Sequence, residues 1–240
     1  MTGTVAGRIP LFLLPPAAGS AVSFDGWPDS PELAAQPLEL PGRRFGDPAP
    51  LELDLAAAVD WLDLHRPAGG ADWALLGHSM GGLLAAAWAE RATAAGHPPR
   101  LLVLSSVTPP WPRSQAVELL AAGPDELWDR MIRLGGIPDE LSGSRTFRRL
   151  IEPRLLADVR LAASWQPAGP PRLDCPILSC SGADDAFVPP AAMLGWAACT
   201  GPGRFRHRVL PGGHFYRSGL VDLHPLLTDP EPAAGRPGPR

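Results

Sequence analysis

Three residue types that together make a nucleophile-and-base system stand at the ends of apolar runs in this chain. They occur in the order serine, acid, histidine. Ser79 lies in Gly77-His78-Ser79-Met80-Gly81, a G-x-S-x-G pentapeptide. A short apolar run, Ala74-Leu75-Leu76, precedes it and an Ala-rich run over 83–95 follows, which predicts a tight strand-turn-helix with the serine at its tip. Such a turn needs small neighbours, and Gly77, Gly81 and Gly82 supply them. A helix start behind the serine also favours developing negative charge. A serine hydroxyl is a weak nucleophile at neutral pH, so it needs a base, and the base needs a carboxylate to fix its tautomer.

Six histidines compete for the role of base. His78 adjoins the serine and points away from it in such a turn. His65 and His97 fall near helix ends, His207 begins a strand, and His224 is near the C-terminal tail. His214 alone follows the last apolar run on a Gly-Gly turn, and it is the candidate base. The acid is Asp184 or Asp185, and the G-x-x-D spacing from Gly182 favours Asp185. An oxyanion formed at the serine would need two N–H donors. The residue after the nucleophile, Met80, supplies one amide. Ala17, in the small-residue loop Pro15-Pro16-Ala17-Ala18-Gly19-Ser20, supplies the other.

These loops require a scaffold that brings strand ends together. Residues 9–14 read as an interior strand and 38–40 as a second strand. Residues 51–65 read as a helix with apolar positions at Leu51, Leu55, Val59 and Leu62. Residues 101–104, 176–179 and 206–210 are further strands. This alternation implies a mostly parallel sheet with helices on both faces, and the order Ser, Asp, His at strand ends is that of the α/β-hydrolase fold. The alternation breaks over about 111–171, which reads as an inserted helical lid. Residues 124–134 are a helix with proline at its start, acids in its first turn and arginines in its last. A second helical stretch spans about 146–164 and is interrupted at Pro153. Trp111, Trp128, Met131 and Trp165 either fill the core of this lid or line the chamber beneath it. Residues 1–228 are expected to form one domain, with 229–240 a disordered tail rich in Pro, Gly, Ala and Arg.

Composition narrows the function classes. With 240 residues, 45% hydrophobic and 19% charged, the chain can bury a substantial core. A net charge of −4 gives no electrostatic footprint for nucleic acid or anionic membrane. All 21 basic residues are arginine. Cys175, Cys180 and Cys199 follow no metal-ligand spacing and read as reduced thiols of a cytoplasmic protein. The apolar run at 9–14 is too short to span a bilayer.

Taken together, the motifs resemble the type II thioesterases, the stand-alone editing enzymes of polyketide and nonribosomal peptide synthases. The resemblance covers about residues 8–220. It rests on 11–21 with its Pro-Pro-Ala-Ala-Gly-Ser loop, Phe24 and Trp27, Leu40-Pro41-Gly42-Arg43, the pentapeptide at Ser79, and Leu134-Gly135-Gly136-Ile137-Pro138 with Glu140-Leu141. Pro176-Ile177, Gly182 to Asp185, and Gly212-Gly213-His214-Phe215 complete it. Ala18 stands where the family usually has glycine, Leu155-Leu156-Ala157-Asp158 has leucine where an arginine is common, and Trp165 stands where tyrosine is common. The resemblance implies a Ser79-His214-Asp185 triad, no metal and no cofactor of its own. The phosphopantetheine is carried by the substrate, the partners are acyl or peptidyl carrier protein domains, and the protein is expected to be a monomer. Two other readings stay open at this stage: an esterase of the same fold acting on small esters, and a carrier-binding module without turnover.

Overall fold

The computed structural model describes residues 7–44 and 46–228. The expected tail at 229–240 lies outside the described residues. Six strands form one sheet: β1 (Ile9–Leu14), β2 (Leu33–Pro37), β3 (Ala74–His78), β4 (Leu101–Ser105), β5 (Ile177–Gly182) and β6 (Phe205–Leu210). Their order is β2-β1-β3-β4-β5-β6, and every pairing is parallel. A parallel sheet must be covered on both faces, so its strands read as near-continuous apolar runs. Alternate residues of one strand therefore enter two separate cores. Phe12 and Leu14 of β1 join Leu75, Leu102 and Leu104 on one face. Leu11 and Leu13 join Leu76, Val103 and Leu178 on the other.

The helices differ in weight on the two faces. The first face carries α1 (Leu55–Asp63) and α2 (Met80–Ala94), whose Val59, Leu62, Leu84 and Trp88 pack into its core. The second face is covered by short turns, at Ala21–Phe24 and Leu220–Leu223, and by α8 (Pro225–Thr228). Between β4 and β5 lie α3 (Gln115–Ala122), α4 (Pro124–Arg133), α5 (Asp139–Ser142) and α6 (Arg145–Ser164). After β5 comes the short α7 (Pro190–Met193). Among the described residues, no helix is long and apolar enough to cross a membrane.

Three local expectations are corrected. The second strand is Leu33–Pro37, not 38–40. It is an edge strand made largely of small residues, so it lacks the apolar alternation that marks a strand. Leu38 and Leu40 are buried because the chain leaves the strand over the core. The first helix begins at Leu55 rather than 51, because Asp54 caps it by accepting the Ala57 N–H at 2.7 Å. Finally, α6 runs unbroken through Pro153. That proline is on the exposed side, where water can serve the carbonyl that loses its N–H partner.

Candidate active site

Ser79 joins β3 directly to α2. Its backbone sits at φ 54° and ψ −123°, a conformation that residues with a Cβ rarely adopt and that costs roughly 1–3 kcal/mol. Close backbone packing holds it there. A Cβ on Gly77 would lie 2.1 Å from the Gly81 carbonyl oxygen, and one on Gly81 would lie 2.2 Å from that of Leu14. The Ser79 N–H donates to the Ser105 carbonyl at 2.8 Å, tying the turn to the end of β4.

The acid and the histidine come from the loops after β5 and β6, which interlock through backbone. Ala183 N–H donates to Leu210 O at 2.8 Å, and Asp184 N–H donates to Gly212 O at 2.9 Å. A Cβ on Gly182 would lie 2.0 Å from the Gly213 carbonyl oxygen. This packing sends Asp184 outward and Asp185 inward, where it is 3% exposed. Asp185 Oδ2 accepts from His214 Nδ1 at 2.8 Å. Asp185 Oδ1 accepts the N–H groups of Phe187 at 3.0 Å and Val188 at 2.9 Å. Burial raises this carboxyl's pKa, but the His214 bond and charge and the two amides outweigh it, and the pKa stands below the usual value. An ionised carboxylate only accepts, so His214 Nδ1 carries the proton and Nε2 is left as the acceptor.

His78 lies behind this pair, with its ring 5.0 Å from that of His214. It is fully buried and bonded at Nδ1 to Ser105 Oγ at 2.9 Å, and that hydroxyl meets the Tyr216 hydroxyl at 2.5 Å. Burial, with the charge of His214 adding to it, holds the His78 pKa well below the ordinary histidine value. A neutral ring behind His214 avoids placing two cations together. His65 and His207 bond to Trp61 O and Ser179 Oγ, away from the site.

The loop after β1 turns at Ala18, at φ 56°. That left-handed conformation gives a physical reason for a glycine at this position. The Ala18 N–H donates to Asp158 Oδ2 at 2.8 Å. Asp158 comes from α6 and is 1% exposed, and its Oδ1 accepts from Arg43 Nε at 2.7 Å. Arg43, also buried, donates through Nη1 to the carbonyls of Pro41 and Leu51. Burial holds the Asp158 carboxyl above its ordinary value against the pull of Arg43 and the amide. Sequence reasoning missed this pair. An acid on the apolar side of a helix, between Leu155 and Val159, was the available signal.

Ala17, Ser79, Met80 and His214 line one chamber. Among the described residues, neither the Ala17 nor the Met80 N–H has a protein acceptor. The chamber wall is mostly apolar, with Leu83, Leu119, Leu127, Met131 and Val159 prominent, and α3, α4 and α6 supply one side of it. A neighbouring cavity shares Pro16, Ala17, Met131 and Phe215 and runs beneath Gly136. Of the four suggested lining residues only Met131 reaches the chamber. Trp111 packs edge-on against Trp196 at 5.2 Å, and Trp128 packs against Phe147 under Arg148. Trp165 borders a separate groove beside Leu55 and Glu90. Indoles are large enough that helix packing claims them first.

The three cysteines are buried, and burial pushes each thiol's pKa up to about 12. None of them lines the chamber that holds Ser79 and His214.

Comparison with known proteins places the chain in a family. A family model described as "Thioesterase domain" matches residues 9–225. The thioesterase TesA of Mycobacterium marinum is 32% identical over 227 residues, covering 92% of this chain and 89% of that protein. The structure of RedJ, a thioesterase from the prodiginine pathway of Streptomyces coelicolor, superposes with a TM-score of 0.78 at 31% identity, covering 92% of this chain and 85% of RedJ. The type II thioesterase BorB of the borrelidin cluster gives a TM-score of 0.73 at 28% identity, with 88% and 87% coverage. Not every relative is of this length, for the chain spans only 10% of the AMB antimetabolite synthetase AmbE of Pseudomonas aeruginosa. The chain belongs to the thioesterase family, and within it to the type II thioesterases.

Proposed function

We propose that the protein releases acyl groups from the phosphopantetheine arm of carrier proteins in polyketide or nonribosomal peptide biosynthesis, through an acyl-enzyme on Ser79. The observation that carries this reading is the buried His214–Asp185 pair sharing one chamber with a serine on a strained strand-to-helix turn. In the first step Ser79 Oγ attacks the thioester carbonyl and His214 Nε2 takes its proton. The negative charge that develops on the carbonyl oxygen is met by the amides of Met80 and Ala17. The C–S bond then breaks and His214 returns the proton to the leaving thiolate. Water, deprotonated by His214, attacks the acyl-enzyme, and the carboxylic acid leaves as Ser79 recovers its proton. Asp185 holds the imidazole and stabilises its charged form. The arm lies along the cavity beneath Gly136 while the acyl group enters the chamber.

The test is thiol release from a panel of acyl-carrier proteins, with wild type beside Ser79→Ala and matched acyl-coenzyme A controls. Serine-dependent release favouring carrier-bound acyl groups is the expected result. Cleavage confined to small esters would replace this reading with a general esterase. Carrier binding without turnover would replace it with a non-catalytic module.

A further inference from the structure

Among the described residues, three that line the chamber carry a buried polar atom without a protein partner: Ser106 Oγ, Ser114 Oγ and Arg130 Nε, and the last two lie on the helical side away from the Ser79 turn. Ser114 lines the chamber at 5% exposure, and its Oγ is buried and unbonded. It stands at the N-cap of α3, where serine ordinarily accepts a helix N–H, yet its side chain makes no cap bond. Arg130 lines the same chamber with its Nε buried and unbonded. Leaving a buried hydroxyl or N–H unsatisfied costs roughly 1–3 kcal/mol, although the Arg130 guanidinium is only partly buried and pairs through Nη2 with Glu126. The nearby Gln115 cannot serve them: its Nε2 donates to Phe187 O and its Oε1 accepts from Thr108. Arg130 Nε is a donor only, and a serine hydroxyl donates readily, so the complementary group is an acceptor oxygen.

Charge sharpens the choice. Arg130 pairs with Glu126, but Arg133 shares that carboxylate, leaving two guanidinium groups to one acid. The Arg130 guanidinium also lies over the Phe187 ring at 5.3 Å, beside the Asp185 loop. Among the described residues that line the chamber there is no aspartate or glutamate. A ligand ammonium would sit near like charge with no acid to meet it.

We infer that this chamber selects acyl groups bearing an acceptor oxygen beyond the thioester carbonyl, as oxoacyl groups do, and rejects acyl groups bearing an ammonium, as aminoacyl groups do. The inference rests on the proposed thioesterase site and names its substrate class.

The experiment uses three acyl groups of equal chain length: butyryl, 3-oxobutyryl and 2-aminobutyryl. Each is presented on one carrier protein and also as a small N-acetylcysteamine thioester. Values of kcat/KM are divided by the rate of hydroxide hydrolysis, which removes intrinsic reactivity. In wild type the corrected 3-oxobutyryl to butyryl ratio should be about tenfold or more, the effect of one satisfied buried donor. The 2-aminobutyryl thioester should fall below butyryl. Ser114→Ala and Arg130→Met should each reduce the oxo preference by about fivefold, and Ser114→Ala guards against a folding defect in the arginine variant. A corrected wild-type ratio near one overturns the inference, as does a preference that survives both substitutions. So does 2-aminobutyryl turnover equal to butyryl. The preference confined to small thioesters would keep the inference and remove the carrier reading, whereas carrier turnover without it would do the reverse. A wild type that cleaves none of the six compounds overturns both.

Discussion

The two regions that meet at Ser79 are built by different means. The strand-end loops are held by backbone: Ser79 to Ser105, Ala183 to Leu210, Asp184 to Gly212, with glycines at contacts where a Cβ would collide. The helical segment from α3 to α6 touches the site through side chains, with Met131, Val159, Ser114 and Arg130 at the chamber and Asp158 at the Ala18 loop. Backbone-held geometry tolerates almost no change, whereas side-chain walls can be rebuilt one residue at a time. On the proposed function, the chemistry resides in the rigid region and selectivity in the adjustable one.

Substitutions can break or sharpen that contrast. The largest effect should come from Gly77→Ala or Gly182→Ala, whose new Cβ would meet backbone at 2.1 and 2.0 Å. We expect a stability loss above about 4 kcal/mol, read as loss of a cooperative melting transition. If either variant melts like wild type, the strand-end loops are not the rigid region. Next, Asp185→Asn should keep the fold and lower kcat by about 10⁴-fold, since it loses the partner that fixes the His214 tautomer. Asp184→Asn, on the outward-facing neighbour, should stay within about twofold. Equal losses in the two variants would remove the distinction drawn from their burial.

Asp158 lies where the regions join, so it tests both. Asp158→Ala leaves Arg43 buried without its acid, at a cost of about 3–5 kcal/mol by denaturant unfolding. It also frees the Ala18 amide, so kcat should fall more than KM changes. Asp158→Asn keeps an acceptor and should recover part of kcat. A purely structural Asp158 would lower the melting temperature and leave kcat of the folded fraction unchanged. A smaller effect is expected at Gly136, where a Cβ would meet the flexible end of Met131 at 2.7 Å. Gly136→Ala should cost less than about 1 kcal/mol of stability and shift the ranking of acyl chain lengths. The smallest effect should be at the thiols. With each pKa near 12 and each side chain buried, iodoacetamide at pH 8 should label the native protein at none of the three cysteines. Rapid labelling would show that the core opens more freely than its packing implies.

The same contrast explains how much of the molecule was legible in its sequence. Strand-end loops leave local marks, because a glycine that avoids a backbone collision must stand at a fixed offset from the residue it serves. The placement of Ser79, Asp185 and His214 at neighbouring strand ends was therefore readable, as was the parallel α/β frame of short apolar runs. Side-chain walls leave no such mark. Arg43 and Asp158 lie 115 positions apart, and no spacing rule joins them. The tryptophans of the helical segment misled for a related reason: aromatic size indicates burial but not which cavity is filled. The second strand was displaced because an edge strand of small residues lacks the pattern that identifies a strand. Pro153 marked an interruption that an exposed helix side can absorb.

The strand order also has a consequence for how the protein is made. Ser79 follows the third strand, Asp185 the fifth and His214 the sixth, with the α3–α6 segment interposed before the fifth. Parallel pairings across such distances close late, after costly loop closure. A nascent chain that has emerged through the loop after β5 includes the serine and the acid but lacks the histidine. On the proposed mechanism no copy can cleave a thioester until β6 and the loop after it have been made, and a truncation ahead of β6 should yield an inert product.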